Sequence, residues 1–243
     1  MKLEQTNRII IKIGSALLFN ETSGSLNKEW LNSLAEDVKY LRENDKEVII
    51  VSSGAIAMGA KDLDLDMKNM KMDMNQAVSA VGQIHLMGSF KSAFEKNEIK
   101  ISQILLTLDD TEQRRRSINA RRTIDTLLKL GIVPVVNEND TIATSEIRYG
   151  DNDRLASRVA QITSADCLIL LSNINGLYSA DPSTDEDVKL INKVSEIDKD
   201  IEKMIGQSIS DYGKGGMKTK IQAAKTAMPV SYTHLRAHET PAN

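Results

Sequence analysis

Two clusters of amide and carboxylate side chains stand close together in this chain, Asn137-Glu138-Asn139-Asp140 and Asp151-Asn152-Asp153. Such a concentration of acceptors suits a small polar molecule with an ammonium group. Either cluster alone also reads as a strand-end turn or a helix N-cap, because Asn and Asp favour both. Cations recur elsewhere. Lys12-Ile13-Gly14-Ser15 places glycine and a small hydroxyl beside a lysine, which lets backbone and charge approach a phosphate. Tyr212-Gly213-Lys214-Gly215-Gly216-Met217, followed by Lys218 and Lys220, reads as a cationic, glycine-rich helix start suited to polyphosphate. Ser52-Ser53-Gly54-Ala55 is a second helix start whose amide groups can face an anion.

Common nucleotide motifs do not account for the glycine-rich loop. A Walker A loop ending at Gly213-Lys214 needs glycine where Ser208 stands and a hydroxyl residue where Gly215 stands. A dinucleotide fingerprint needs glycine where Lys218 stands.

Bulk properties narrow the chemistry. The chain has 243 residues, 41% hydrophobic and 27% charged, enough for one large α/β domain or two small ones. A net charge of −3 argues against nucleic acid as the main partner. A single cysteine, Cys167, excludes a disulfide framework within the chain and a thiolate metal cluster. No run reaches the roughly 18 apolar residues of a membrane span, and Met1 to Gly14 lacks a signal-peptide pattern, so a cytoplasmic protein is expected. Of three histidines, His234 and His238 fall in an atypical tail, leaving His85 as an expected packing histidine. Chemistry that needs imidazole is therefore not expected.

The elements that must position these residues alternate. Strands are expected at Arg8 to Ile13, Val48 to Val51, Ile99 to Leu106, Ile132 to Val136 and Cys167 to Leu171. The run at Ile132 is short, apolar and β-branched, as a buried parallel strand reads, and it stops at Asn137. In open α/β sheets, ligands bind beyond the carboxyl ends of strands. Helices are expected at Asn27 to Asn44, Gln76 to Glu95, Thr111 to Leu130, Arg154 to Ile162, Ile197 to Ile205 and from Met217 through Ala224. Ile142 to Tyr149 suggests a hairpin, Ser172 to Pro182 a loop, and Lys61 to Met74 an exposed excursion. Arg114, Arg115, Arg116, Arg121 and Arg122 read as a solvated helix face. Asp153 is expected near a helix start. The alternation implies a mostly parallel sheet covered on both faces.

Lys12-x-Gly-Ser, Ser52-Ser-Gly-Ala-Ile, Asn137-Glu-Asn-Asp140, Gly150-Asp-Asn-Asp153, Gly176-Leu-Tyr and Gly215-Gly-Met-x-Thr-Lys220, in this order, resemble the amino-acid kinase family. The similarity covers roughly residues 8 to 227 and is greatest to members that phosphorylate L-glutamate. It implies a three-layer α/β/α sandwich that transfers phosphate from Mg-ATP to the γ-carboxylate of L-glutamate, the opening step of proline synthesis, with L-proline as inhibitor. By this resemblance Lys12 and Lys220 contact the transferring phosphoryl group and Asp153 orients them. Ser53, Asp140 and Asn152 correspond to glutamate-binding positions, with Asn137 close by. Gly14, Ser172, Asn173, Lys214, Gly215, Gly216, Met217, Lys218 and Thr219, with both lysines, correspond to the ATP site. Mg2+ is expected on the ATP phosphates with no protein metal site. A homo-oligomer, coupling to glutamate-5-semialdehyde dehydrogenase, and no nucleic-acid or membrane partner are implied.

Residue chemistry agrees. A glutamate carboxylate, with pKa about 4.3, is ionised at neutral pH and needs no general base. Lys214 replaces the family's usual Thr and Ser172-Asn173 its usual Thr-Asp, both on the nucleotide side. The resemblance also implies a form without the RNA-binding-like PUA domain that some relatives carry C-terminally. A kinase domain at 1–227 is expected, with 228–243 a vector- or adaptor-like tail. Pro229 to His238 shows no strand alternation, so a missing last strand and a poorly ordered tail are expected. Two alternatives remain: a relative acting on acetylglutamate, aspartate or a nucleoside monophosphate, and a non-catalytic amino-acid sensor.

Overall fold

The computed structural model of the chain describes residues 3–20, 24–68, 70–143, 151–179, 188–199, 201, 217–228 and 232–237, the last as backbone only. Strand β1 (Arg8–Ile13) leads through short α1 (Ser15–Leu18) and α2 (Lys28–Glu43) to β2 (Glu47–Val51). Then come α3 (Ala55–Asp62), α4 (Met72–Glu95), β3 (Ile101–Leu106), α5 (Leu108–Glu112), α6 (Arg114–Lys129) and β4 (Val133–Glu138). The second half contains α7 (Asp151–Thr163), β5 (Cys167–Ser172), β6 (Leu177–Tyr178), β7 (Leu190–Ile191), α8 (Met217–Ala227) and β8 (Tyr232–Ala237).

Among the described residues six strands form one sheet in the order β3-β4-β2-β1-β5-β8, every pairing parallel. β6 and β7 form a separate antiparallel pair. Alternation along β1 explains how the layers attach. Ile9, Ile11 and Ile13 face one side and pack with Trp30, Leu34 and Val38 of α2 and Leu86, Phe90 and Phe94 of α4. Ile10 faces the other side, with Ile124 of α6, Leu155 and Val159 of α7, and Ala223 and Ala227 of α8. Both faces are dry, which is why the strands read as continuous apolar runs. The same period puts Lys12 on the face of Ile10, toward α7 and α8.

Several boundaries differ from the sequence reading. β4 continues through Asn137 and Glu138, both buried, because β3 pairs along its full length to Leu106↔Glu138. The expected helix from Thr111 is two helices, with Thr107 and Asp110 closing a capping box at the start of α5. α7 begins at Asp151, so Asn152 and Asp153 lie inside its first turn. α4 begins at Met72. The expected loop after β5 contains β6. The hairpin expected at Ile142 to Tyr149 falls largely outside the described residues, as does most of the helix expected from Ile197.

The last strand departs from the sequence reading, which implies none there: the backbone of Tyr232–Ala237 pairs with β5 from Cys167↔Tyr232 to Ser172↔Ala237. A parallel ladder is made by main-chain groups, so it tolerates a sequence with no apolar alternation. β5 therefore has a neighbour on each side.

The tightest contact outside the sheet is between α3 and α4. A Cβ added to Gly82 would lie 1.8 Å from the Ala55 carbonyl oxygen, and one added to Gly59 would lie 1.9 Å from that of Val78. Backbone cannot swing aside as a side chain can, so this crossing requires glycine. Gly82→Ala is expected to lower unfolding free energy by at least about 2 kcal/mol, the range of overpacking. Gly88→Ala on the same helix, where an added Cβ meets nothing within 4 Å, should be neutral or raise it by about 0.5–1 kcal/mol. Urea titration followed by circular dichroism compares them; equal midpoints would refute the close approach.

Candidate active site

Buried charged side chains gather at the carboxyl ends of the central strands. Lys12, buried at the end of β1, extends its Nζ to 2.5 Å from Asp153 Oδ1. Lys220, buried in the first turns of α8, places Nζ 3.2 Å from Asp153 Oδ2. The Thr219 hydroxyl donates to the same oxygen at 2.9 Å. Asp153 is itself fully buried. One carboxylate thus bridges two ammonium groups from different elements, and the triad carries one net positive charge.

Burial alone would disfavour the Asp153 carboxylate, but Lys12, then Lys220 and the Thr219 hydroxyl, hold it below the ordinary aspartate range. Burial also pulls the Lys12 ammonium below its ordinary value; Asp153 opposes that shift and the neighbouring Lys220 adds to it. A buried pair of cations meeting at one anion is an arrangement that favours the arrival of further negative charge.

A second corner adjoins the first. The Ser53 hydroxyl donates to the Ile13 carbonyl at 3.0 Å, tying the end of β2 to the residue after Lys12. Gly54 makes the turn into α3 with φ of +101°, and an added Cβ there would also meet Phe19 Cε2 at 2.6 Å. Asp140, just past β4, accepts from the Ser79 hydroxyl of α4 at 2.5 Å. Asn137 uses its Oδ1 to accept from the Glu138 amide at 2.9 Å. The Asn152 Oδ1 is buried with no hydrogen-bond partner among the described residues, unusual for a buried amide.

The expected nucleotide positions fall on the other side of Lys12. An added Cβ on Gly14 would lie 3.9 Å from Lys12 Nζ and 3.7 Å from the Leu171 carbonyl oxygen, so the ends of β1 and β5 meet here. Ser172 is buried at the end of β5, and its hydroxyl lies 3.4 Å from Asn173 Oδ1. Met217 and exposed Lys218 open α8. Lys214, Gly215 and Gly216 lie outside the described residues.

Thr219, an expected nucleotide position, also donates to Asp153. Sequence reasoning missed one residue here. Ser79 was overlooked, although it is polar on the buried stripe Val78, Gly82 and Leu86 of α4. His85 does not pack inside; it is half exposed, with Nε2 3.2 Å from Asp62 Oδ2. The arginines of α6 do form a solvated face, with Arg116 on Asp110 and Arg121 on Asp125. Burial pushes the Cys167 thiol up to about 12, so it is a packing residue. Among the described residues no group of His, Cys, Asp and Glu is placed to hold a metal ion, and no helix is long and apolar enough to cross a membrane.

Residues 7–231 match the Amino acid kinase family. A protein of Pelagibacter ubique (strain HTCC1062) named Glutamate 5-kinase is 59% identical over 225 residues, covering 93% of this chain and 61% of that protein. One of the same name from Ruegeria sp. (strain TM1040) is 52% identical, with the same coverage of each chain. This chain therefore spans about three fifths of the length of these relatives. Among solved structures, the isopentenyl phosphate kinase product complex of T. acidophilum is similar with a TM-score of 0.65 at 14% identity, over 95% of this chain and 91% of that one. UMP kinase from Bacillus anthracis gives a TM-score of 0.62 at 14% identity, over 98% of this chain and 89% of that one. The three-layer sandwich with a parallel central sheet is the fold they share.

The triad makes stability depend on pH in a fixed direction. The folded pKa of Asp153 lies below its unfolded value, so its contribution is full above about pH 4 and is lost as pH falls through the folded pKa. Asp153→Asn, which leaves two buried ammonium groups without their anion, is expected to cost about 3–5 kcal/mol at neutral pH. Thermal melts of both proteins from neutral to acid pH should show the gap narrowing below about pH 4. A gap that stayed constant would mean Asp153 is not the ionised centre of the triad.

Proposed function

Because this chain belongs to the amino acid kinase family, we propose that it transfers the γ-phosphoryl group of ATP to the γ-carboxylate of L-glutamate, giving γ-glutamyl phosphate and ADP. The observation that carries this reading is the pair of buried lysines bridged by Asp153 at the strand ends. The shared name of the relatives supports the choice of glutamate.

In this reading a γ-carboxylate oxygen attacks the γ-phosphorus, the bond to the β-bridging oxygen breaks, and ADP leaves with that electron pair. The nucleophile is already ionised, so no proton need be removed, which fits a site without histidine. Catalysis then rests on position and charge. Lys12 and Lys220 neutralise the oxygens of the transferring group, and Asp153 fixes their spacing. Ser53, Asn137, Asp140 and Asn152 hold glutamate, Asp140 and the Asn152 carbonyl as acceptors for its ammonium group. Gly14, Ser172, Asn173 and Lys214 to Lys220 hold ATP. Both oxygens of Asp153 are engaged by ammonium groups. Mg2+ would therefore be held by the ATP phosphates, where it supplies further positive charge.

The product is an activated acyl phosphate, so a reductase of the glutamate-5-semialdehyde dehydrogenase type is its expected consumer in proline synthesis, in the cytoplasm. L-proline, with the same amino-acid head group, is the expected inhibitor. The chain is read as a homo-oligomer.

The purified protein should convert ATP to ADP only when glutamate and Mg2+ are present, with hydroxylamine trapping the γ-hydroxamate. Preferential turnover of acetylglutamate or UMP would overturn the substrate assignment. Lys12→Ala and Lys220→Ala should each lower kcat by about 100-fold or more, whereas Asp140→Ala should act mainly on the KM for glutamate. Lys220→Ala changing only that KM would reverse the assigned roles.

A further inference from the structure

We propose that Ser79 is a positioning residue for substrate recognition, acting through Asp140. This rests on the reading that Asp140 receives the α-ammonium of glutamate. Ser79 is fully buried on α4, and its hydroxyl lies 2.5 Å from Asp140 Oδ2. An ionised carboxylate only accepts, so the hydroxyl proton is the donor and Ser79 Oγ–H points at that oxygen. A short hydrogen bond to a charged acceptor is among the stronger kinds. It fixes the rotation of the carboxylate about its last bond, which otherwise has a broad preference.

The placement of Ser79 gives the contact its reach. One turn further along α4, Gly82 meets the Ala55 carbonyl of α3 so closely that no side chain fits. Ala55 follows Ser53 and Gly54 at the start of that helix. Next to Gly82, the Gln83 amide lies 3.4 Å from the Glu138 carbonyl near the end of β4, and the Gln76 amide donates to the Ala143 carbonyl at 2.9 Å. One face of a single helix thus touches both corners assigned to glutamate, the Ser53 turn and the Asp140 segment. α4 acts as a ruler between them, and Ser79 is the point at which the ruler grips a recognition group.

The consequence is a split in kinetic effect. Losing the Ser79 hydroxyl leaves Lys12, Asp153 and Lys220 in place but removes one short contact that orients the Asp140 carboxylate. Ser79→Ala should raise the KM for glutamate about five- to twentyfold, a fraction of what losing the carboxylate itself does. Turnover at saturating glutamate and the KM for ATP should stay within about twofold. Ser79→Thr and Ser79→Val form a second comparison, matched in shape and differing in the hydroxyl. Thr should stay close to the wild-type glutamate KM and Val should rise with Ala.

The experiment is steady-state kinetics of the wild type and the three variants, with glutamate and ATP varied in turn. Wild-type glutamate KM in Ser79→Ala, or equal glutamate KM in Ser79→Thr and Ser79→Val, would overturn the proposal. So would parallel losses in kcat and both KM values, the pattern of general misfolding. A wild type with no glutamate-dependent turnover would instead fail the reading of function, so the two failures are distinguishable.

Discussion

The constraint on which the site depends is a single buried carboxylate between two buried ammonium groups. Asp153 is satisfied only if the end of β1, the first turn of α7 and the start of α8 converge on it. Those elements come from three distant parts of the chain, and long side chains on loops would not hold them so closely. The sheet supplies the rigidity. β1 is central, flanked by β2 and β5 in parallel register, and Ile9, Ile10 and Ile13 are fully buried. Each such side chain contributes about 1.5–3 kcal/mol of hydrophobic stabilisation. The cost of desolvating three charges is met by the core beneath them, because a buried ion pair rarely stabilises a fold by itself.

The α3–α4 pair serves the other half of the site. Its glycine contact sets how near the Ser53 turn lies to α4, and Ser79 carries that setting to Asp140. The hydroxyl of Ser53 in turn donates to Ile13, beside Lys12. Both corners of the site are therefore attached to one frame: a displacement of α4 would be felt at each.

Much of this arrangement was legible in the sequence because the strands are β-branched apolar runs ending abruptly in Gly, Ser, Asn or Asp. A polar residue at such an end has few places to go except the crevice above the sheet. Lys12, Ser53, Asn137 and Asp140 are singled out this way, and β1 is bounded to the residue. Legibility failed where tertiary contacts outweigh local pattern. β4 runs on through polar Asn137 and Glu138 because β3 offers a full-length partner. The helix expected from Arg154 begins at Asp151, with Asp153 near its start as expected. Tyr232–Ala237 shows no alternation, yet the open edge of β5 gives its main chain a partner. Ser79 is invisible in principle to periodicity alone, since serine on a buried stripe is common and only its neighbour Asp140 gives it meaning.

In the proposed reaction the bridged lysines serve transfer of phosphate to a carboxylate rather than to water. Glutamate carrying heavy oxygen in its γ-carboxylate tests this directly, with the acyl phosphate cleaved by hydroxylamine and the released phosphate read by phosphorus NMR. Hydroxylamine attacks the acyl carbon, so the bridging oxygen leaves with phosphorus. The expected result is phosphate carrying one glutamate-derived heavy oxygen. Unlabelled phosphate, released at the rate of ADP formation, would show that water is the acceptor and contradict the account.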